Sequence, residues 1–248
     1  MERTHSRGLS APVQAPVPAL TTYDAGVAAV CQFAAQFDDI SWPAQTPCPE
    51  WRAFELAGHL RCIADDFNEY LDDAPVSRYA RLMATGAHPD TLGRKLARQN
   101  AAELAALSDA PPAEHVAAFA ASARSYAHRV SAVWDLPHHQ YRDTVVTVGG
   151  MVGAASAEWH LHAWDLARAL GADYRPADPT AVLAGWRAGM PHLPVPSASL
   201  GARAVRHYDP WHAVLAASGR LVPSAAEAGA VRSSLAAWPA RLRRRRRD

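Results

Sequence analysis

The sequence has few of the features that would assign it to a function class. Its three cysteines, at positions 31, 48 and 62 of 248 residues, are odd in number and widely spaced, so a disulfide framework is not expected. Lys95 is the only lysine among 25 basic residues, and the formal net charge of +1 points neither to nucleic acid nor to an acidic surface. No apolar run approaches the ~20 residues that span a bilayer, and the N-terminus lacks a charged-then-apolar signal pattern. We therefore expect a globular, cytoplasmic protein without a membrane or nucleic-acid partner.

Both ends of the chain are predicted to be tails. Residues 1–20 are rich in Pro, Ser and Ala without apolar periodicity, which predicts a disordered segment. Residues 241–248 contain the run Arg243–Arg247, and five adjacent like charges at a chain end are typical of a solvated tail. No aromatic stacking platform accompanies the run, so we do not interpret it as a nucleic-acid site.

Between the tails, apolar residues recur at helical spacing. The pattern predicts helices over about 23–37, 53–71, 91–107, 113–134 and 151–170, while 74–92 is ambiguous and DTVVTVGG is interpreted as a loop. Helices with short connections favour an antiparallel bundle, which we assign to residues 21–175. Prolines become frequent after a linker at 173–179, so residues 176–240 are predicted to form a smaller second domain.

The stretch SAEWHLHAWDLARALG, residues 156–171, carries the clearest chemical signal. At about 100° per residue, Glu158, His162 and Asp165 fall on one stripe in the sector that should face the core. His160 falls on the opposite side of the helix, where solvent is expected. A carboxylate and an imidazole in a core position are costly unless they pair with each other or hold a metal.

A second histidine points from the centre of an apolar face, in WRAFELAGHLRCIADDFNEYL. Together, His59, Glu158 and His162 offer two nitrogens and one oxygen, the ligand set of an open zinc site. A Glu-x-x-x-His pair by itself is a weak signal, because Glu55 and His59 form another one. Glu55 lies near the edge of its helical face, so we do not count it as a ligand. The alternative is that the three side chains satisfy one another without a metal.

Four further residues are candidates because of their position. Asp165 either orients a metal ligand from behind or is a helix-surface acid. Asp66 and Tyr70 share the helical face of His59, so we expect them to line the mouth of a pocket and assign them to cofactor binding. Arg220 is our choice to meet a substrate carboxylate, because its guanidinium matches a carboxylate in geometry; otherwise it is a surface arginine.

Two cysteines lie near these residues in the sequence. Cys62, three residues after His59, could reach the site as a thiolate, but a free cysteine more often packs as a small buried hydrophobe. Cys48 lies between two prolines in the loop before the second helix, and we interpret it as structural.

TPCPEWRAFELAGHL and AEWHLHAWDLARALG resemble the two signature stretches of the mycothiol-dependent maleylpyruvate isomerase family. This family belongs to the DinB-like metal-binding four-helix bundles, which include thiol S-transferases. The resemblance covers about residues 23–172 and continues faintly into DPWHAVLAASGR, where the family has more leucines. It implies a mainly α fold, a DinB-like antiparallel four-helix bundle followed by a small C-terminal α/β domain. It also implies a divalent metal, most often zinc, held by His59, Glu158 and His162. The chain continues beyond Arg220 into an extra predicted helix and the arginine tail.

The same resemblance implies a function with mycothiol as cosubstrate. A divalent cation with three protein ligands binds a thiol as its thiolate at neutral pH. Addition of the thiolate to a cis-enedioyl acid, rotation and expulsion give the trans isomer, whereas a leaving group on the substrate makes the reaction an S-transfer. We therefore expect an isomerase or S-transferase with only small-molecule partners. The alternative is a bundle that binds a metal or small ligand without turnover, in a regulatory or interaction role.

Overall fold

The computed structural model describes residues 17–48, 51–73, 76–107, 109–193 and 209–221. These residues form eight helices and one hairpin: α1 (Val17–Ala34), α2 (Ala53–Asp73), α3 (Arg78–Ala84), α4 (Pro89–Ala106), α5 (Pro112–Val130), β1 (Pro137–Tyr141), β2 (Thr144–Thr147), α6 (Val148–Ala169), α7 (Pro179–Gly189) and α8 (Pro210–Ala217). No helix in these ranges is long and apolar enough to cross a membrane. The arginine run, the helix predicted after Arg220 and residues 1–16 of the predicted N-terminal tail lie outside the described residues.

Four long helices, α1, α2, α5 and α6, build the main core. α2 packs against α5 and α1 against α6, and an aromatic centre joins the two pairs. The ring of the fully buried Trp159 lies 6.1, 5.8 and 4.9 Å from those of Tyr23, Phe67 and Phe119, respectively. Large aromatic groups supply much of the apolar area that a core buries. The predicted class, a mainly helical bundle with a small α/β part, is confirmed.

The central helix of the molecule is α6, because α7 covers the side that the bundle leaves open. Gly153 of α6 and Gly185 of α7 meet so closely that a Cβ on Gly153 would lie 2.6 Å from the Cα of Gly185. A helix enclosed in this way has no solvent face. The expectation that His160 faces solvent is therefore wrong, since it is 1% exposed, and Ala167 on the same side is also buried.

His160 instead joins three parts of the chain. Its Nε2 lies 3.0 Å from the carbonyl oxygen of Thr22 in α1, and its Nδ1 lies 2.5 Å from the hydroxyl of Tyr174. A carbonyl oxygen only accepts, so Nε2 donates to Thr22 and the Tyr174 hydroxyl donates to Nδ1. Both ring nitrogens are thus used to hold the fold together.

A hairpin precedes α6 where the sequence predicted a loop. β1 and β2 pair antiparallel through a two-residue turn, in which Arg142 has a left-handed φ of 52°. Arg-Asp is not one of the Asn-Gly or Gly-containing pairs that identify such turns, so the hairpin was missed. β2 runs directly into α6, where the hydroxyl of Thr147 accepts the N–H of Gly150 at 3.1 Å.

Two smaller differences concern helix bounds. α1 begins at Val17, so the last four residues of the predicted N-terminal tail are helical. The ambiguous segment 74–92 contains the short helix α3, which starts after the N-cap Ser77.

Candidate metal centre

The structure places two of the predicted ligands side by side on α6 and the third on the facing helix α2, but the three do not form a group whose ligand atoms all lie within 4.8 Å of one another. Glu158 and His162 lie on successive turns of α6, with Oε2 of Glu158 3.4 Å from Nε2 of His162. The ring of His59, on α2, is perpendicular to that of His162 at a centroid distance of 5.2 Å. His59 is 4% exposed and His162 2% exposed, so neither imidazole is hydrated by bulk water.

His162 is held in one orientation by Asp165. Its Nδ1 lies 2.9 Å from Oδ2 of Asp165, and because a carboxylate accepts, Nδ1 carries the hydrogen. Nε2 of His162 is therefore turned towards Glu158, and it is buried without a hydrogen-bond partner among the described residues. The same holds for Nδ1 of His59. Buried polar atoms are almost always paired, so these two nitrogens mark a place where a ligand is expected.

Asp165 is in turn fixed by Arg220, 55 residues later in the chain. The guanidinium donates from Nε to Oδ1 at 2.9 Å and from Nη2 to Oδ2 at 2.6 Å, the fork geometry of a strong charged pair. Asp165 is completely buried, which excludes the helix-surface alternative for it. The Arg220 side chain is 10% exposed and points at Asp165, so the surface alternative for Arg220 is wrong as well.

Cys48 joins the same group, which the sequence did not indicate. Its Sγ lies 3.4 Å from Oδ2 of Asp165 and 3.6 Å from Nη2 of Arg220. Cys48, His162 and Asp165 place their ligand atoms within 4.8 Å of one another, close enough to hold a metal ion. The position of Cys48 inside a signature stretch was the one available hint. Cys62 behaves as expected of a packed thiol, since burial raises its pKa to about 11.

The two histidines have opposite electrostatic environments. Burial, together with the positive charges of His162 and Arg220, holds the pKa of His59 well below its ordinary value. Burial also acts to lower the pKa of His162, but its contacts with Asp165, Cys48 and Glu158 outweigh burial and raise that pKa well above the ordinary value. His59 is therefore neutral, the form that binds metals, whereas His162 must lose a proton before it can do so.

A tryptophan covers His59 from the loop before α2. The rings of Trp51 and His59 lie 4.0 Å apart and 31° from parallel. The loop is held by the hydroxyl of Thr46, which donates to the Trp51 carbonyl at 2.7 Å, and by the Trp51 N–H, which donates to the Cys48 carbonyl at 3.0 Å. The same loop thus places Trp51 over the ring of His59 and the thiol of Cys48 beside Asp165, the hydrogen-bond partner of His162.

A cavity of about 150 Å³ opens beside the predicted ligands. It is lined by His59, Ile63, Asp66, Phe67, Tyr70, Tyr79, Leu96, Gln99, Asn100, Met151, Ala154, Glu158, Met190, His192 and Leu193. Asp66 and Tyr70 were predicted to line such a pocket, and both are in its wall. His59 and Glu158 are the two predicted ligands in this wall, whereas His162, Asp165 and Arg220 are not among the lining residues.

Asp66 lies in a polar cluster within this wall. The Tyr70 hydroxyl donates to its Oδ2 at 2.9 Å, and Arg78 donates to its Oδ1. Burial and the negative charge of Glu103 raise the pKa of Asp66 to about 6, although Arg78 opposes this shift. Asp66 is therefore a carboxyl group that can exchange a proton near neutral pH.

A larger groove of about 1020 Å³ lies between α2 and α4. Trp42, Trp51 and Phe54 are among its lining residues, but none of the three predicted ligands is. The smaller cavity, by contrast, is lined by His59 and by the carboxyl groups of Asp66 and Glu158.

A helix bundle with two buried histidines and a glutamate on facing helices is a scaffold for a metal site. A family model described as the mycothiol maleylpyruvate isomerase N-terminal domain matches residues 23–167. The chain belongs to this family, as its two signature stretches predicted. Comparisons with curated proteins and with solved structures find no significant match.

Proposed function

We propose that the protein is a metal-dependent enzyme that uses mycothiol to isomerise a small electrophilic acid or to transfer the thiol to it. The supporting observation is the buried Nε2 of His162, which makes no hydrogen bond among the described residues but lies 3.4 Å from Oε2 of Glu158, with the ring of His59 beside that of His162. Two ligand atoms on a tetrahedral zinc ion at about 2.0–2.2 Å from it lie about 3.4 Å apart. The spacing of these two atoms therefore fits a shared metal better than a hydrogen bond.

We assign the metal to His59, Glu158 and His162 rather than to the group that contains Cys48. Nδ1 of His162 already donates to Asp165, and both oxygens of Asp165 receive N–H groups of Arg220. A guanidinium at that position repels a second cation. The side of His162 that faces Asp165 and Cys48 therefore holds the ring in place, and we assign the metal to the Nε2 side.

The metal would supply the positive charge that keeps a thiol ionised at neutral pH. The protein's own groups do the rest. Asp165 keeps Nδ1 of His162 protonated and Nε2 available, and Arg220 keeps Asp165 ionised. Trp51 shields His59 from water. The cavity of about 150 Å³ is the size of one that holds a benzene molecule, so it suits a small substrate.

Within that cavity the mycothiol thiolate adds to the activated double bond of the acid. The carbon–carbon bond of the adduct is single and rotates, and expulsion of the thiolate gives the trans product. If the substrate carries a leaving group, that group would be expelled in place of the thiolate, and the product would retain the new C–S bond. An isomerase regenerates its thiol, whereas an S-transferase consumes it, so one thiol assay separates the two outcomes.

The first experiment measures the metal. We expect about one zinc per chain by elemental analysis, with tight binding lost in Glu158→Ala and in His162→Ala. Glu55→Ala is the matched control, because Glu55 forms the other Glu-x-x-x-His pair but accepts the Arg52 N–H at 2.8 Å instead. It should keep its zinc. Protein that takes up no zinc at neutral pH, or a Glu158→Ala variant that keeps it, would contradict the ligand assignment.

The second experiment measures turnover. Zinc-loaded protein is given mycothiol and maleylpyruvate, and both isomerisation and free thiol are followed; a panel of small electrophiles then replaces maleylpyruvate. We expect turnover with at least one electrophile and its loss in Glu158→Ala. Zinc-loaded protein that turns over none of them would favour a binding protein instead.

A further inference from the structure

One imidazole in the cavity wall has no role in the proposed metal site. His192 follows α7 in a turn closed by three hydrogen bonds: Met190 N–H to the Trp186 carbonyl at 2.8 Å, Leu193 N–H to the Met190 carbonyl at 3.0 Å, and the Trp186 indole N–H to the Leu193 carbonyl at 3.0 Å. The turn holds His192 in the wall of the cavity, where it is 3% exposed.

Nδ1 of His192 is buried and has no hydrogen-bond partner among the described residues. Its ring packs against the edge of Tyr141, with centroids 5.9 Å apart at 65°. His192 shares the cavity wall with Glu158, one of the three residues to which we assign the metal. A fixed and buried polar atom without a partner is expected where a ligand supplies the partner.

We propose that His192 contacts the substrate and donates a hydrogen bond from Nδ1 to the carbonyl oxygen of an α,β-unsaturated carbonyl compound bound in the cavity. This inference rests on the proposed function, because it assigns a partner to the substrate of that reaction. It makes His192 a catalytic residue of the thiol addition.

The chemistry needs such a donor at one stage. A sulfur lone pair forms the C–S bond at the carbon β to the carbonyl, and the π pair of the C=C bond moves so that the carbonyl becomes an enolate with its charge on oxygen. After rotation the pair returns, the C=C bond re-forms and the thiolate leaves, so no oxidant or reductant is needed. A hydrogen bond to that oxygen strengthens as its charge grows, which favours the transition state over the bound substrate.

The surroundings favour a carbonyl oxygen over a carboxylate as the partner of His192. Among the lining residues that the structure describes, Asp66 and Glu158 are acids, and none is Lys or Arg. A carboxylate of the substrate placed beside His192 would meet these like charges, whereas its carbonyl oxygen would not, so the carbonyl oxygen is the group expected at His192. Burial lowers the pKa of His192 to about 4, so it is uncharged near neutral pH, and the proposed contact requires the tautomer that carries its hydrogen on Nδ1.

Steady-state kinetics with mycothiol and maleylpyruvate test the inference in three variants. His192→Leu should lower kcat about 100–1,000-fold, the range for loss of one such donor, with zinc content unchanged. His192→Asn, whose side-chain amide N–H lies near the place of Nδ1, should recover at least about tenfold of that loss. His139→Leu is the matched control, because His139 is also buried with an unpaired nitrogen but does not line the cavity, and its kcat should stay within about threefold. An unchanged kcat in His192→Leu, or an effect on KM alone, would overturn the inference.

A binding measurement separates this inference from the proposed function. Pyruvate is titrated into zinc-loaded protein with ¹⁵N-labelled histidine, and the Nδ1 resonance that is missing in His192→Leu should shift. A shift in protein that shows no turnover would support the contact while the proposed function fails. Turnover without a shift, and without any effect of His192→Leu, would overturn the inference and leave the function intact. Neither turnover nor a shift would overturn both.

Discussion

Replacing Asp165 with Asn would test the buried charged pair on which the orientation of His162 depends. Asp165 is 0% exposed and accepts hydrogen bonds from His162 and from two nitrogens of Arg220, whose side chain is 10% exposed. Asn keeps the volume and one acceptor oxygen but removes the charge. The guanidinium then stays in the interior without its counter-charge, a change that typically costs about 3–5 kcal/mol.

The pKa of Asp165 gives a second estimate of that magnitude. Burial by itself raises this pKa, but the hydrogen bonds from His162 and Arg220 outweigh it and hold the pKa at about 2, against an ordinary 3.8. A difference of this size corresponds to about 2–3 kcal/mol. With the unpaired Arg220 included, we expect Asp165→Asn to lower the free energy of unfolding by about 3 kcal/mol. We also expect zinc to bind about 10–100-fold more weakly, because His162 loses its orienting carboxylate.

The pH dependence of this loss has a definite sign. A carboxyl group whose pKa is lower in the folded state stabilises the fold above its unfolded pKa and loses that effect as pH falls through the folded value. The advantage of the wild type over Asp165→Asn should therefore shrink from about pH 4 towards pH 2, and it should also decline above about pH 6.5, because Asp165 raises the pKa of His162 and that contribution is lost as His162 loses its proton.

Urea unfolding of the metal-free protein between pH 3 and 7 measures both effects. The variant Asp165→Asn/Arg220→Met removes both charges and should recover most of the lost stability, since no unpaired buried charge remains. It should not recover zinc affinity. A loss below about 1 kcal/mol in the single variant, or a double variant as unstable as the single one, would refute the reasoning.

Three further predictions concern residues of α6 and of the neighbouring helix α7. His160→Ala should lower the free energy of unfolding by about 2 kcal/mol, because the Tyr174 hydroxyl loses its acceptor and the hydrogen bond to the Thr22 carbonyl of α1 is lost, but zinc content should not change; lost zinc would contradict its structural role. Gly185→Ala should destabilise by about 1–3 kcal/mol in urea, because its Cβ would lie 2.8 Å from the Gly153 oxygen; an unchanged midpoint would mean that α7 does not pack as described. Zinc affinity should rise about tenfold per pH unit below the raised pKa of His162, because His162 must lose a proton to bind the metal. Calorimetry in buffers of different ionisation enthalpy should detect the released proton. Zinc binding that does not depend on pH would exclude a protonated His162.

Local periodicity carried the sequence-based prediction of the bundle. The helices predicted at 53–71, 91–107 and 151–170 correspond to Ala53–Asp73, Pro89–Ala106 and Val148–Ala169. Apolar spacing along a helix reports which residues are buried whatever they pack against. For the same reason, Glu158 and His162 had to share a stripe of α6 in any fold that keeps the helix.

The prediction that one side of α6 faces solvent was wrong, because other helices cover both sides of α6. It placed His160 in water because it assumed that only one face of α6 is covered. Contact with α7 through two glycines reverses that assumption, and no pattern within residues 156–171 shows which distant helix covers them. The missed hairpin has a different cause, since its Arg-Asp turn lacks the residues that usually reveal one.

The sequence by itself predicted the five long helices, the family and the three candidate ligands, because each of these depends on spacing within a short segment, whereas α3, α7 and α8 were not predicted. Only the tertiary structure decided how the ligands are supported. Asp165 meets Arg220 and Cys48 across 55 and 117 residues, and His192 reaches the cavity through a turn after α7. Such contacts depend on how separate helices pack and on which buried charges find partners. The spacing of residues within one segment predicts neither.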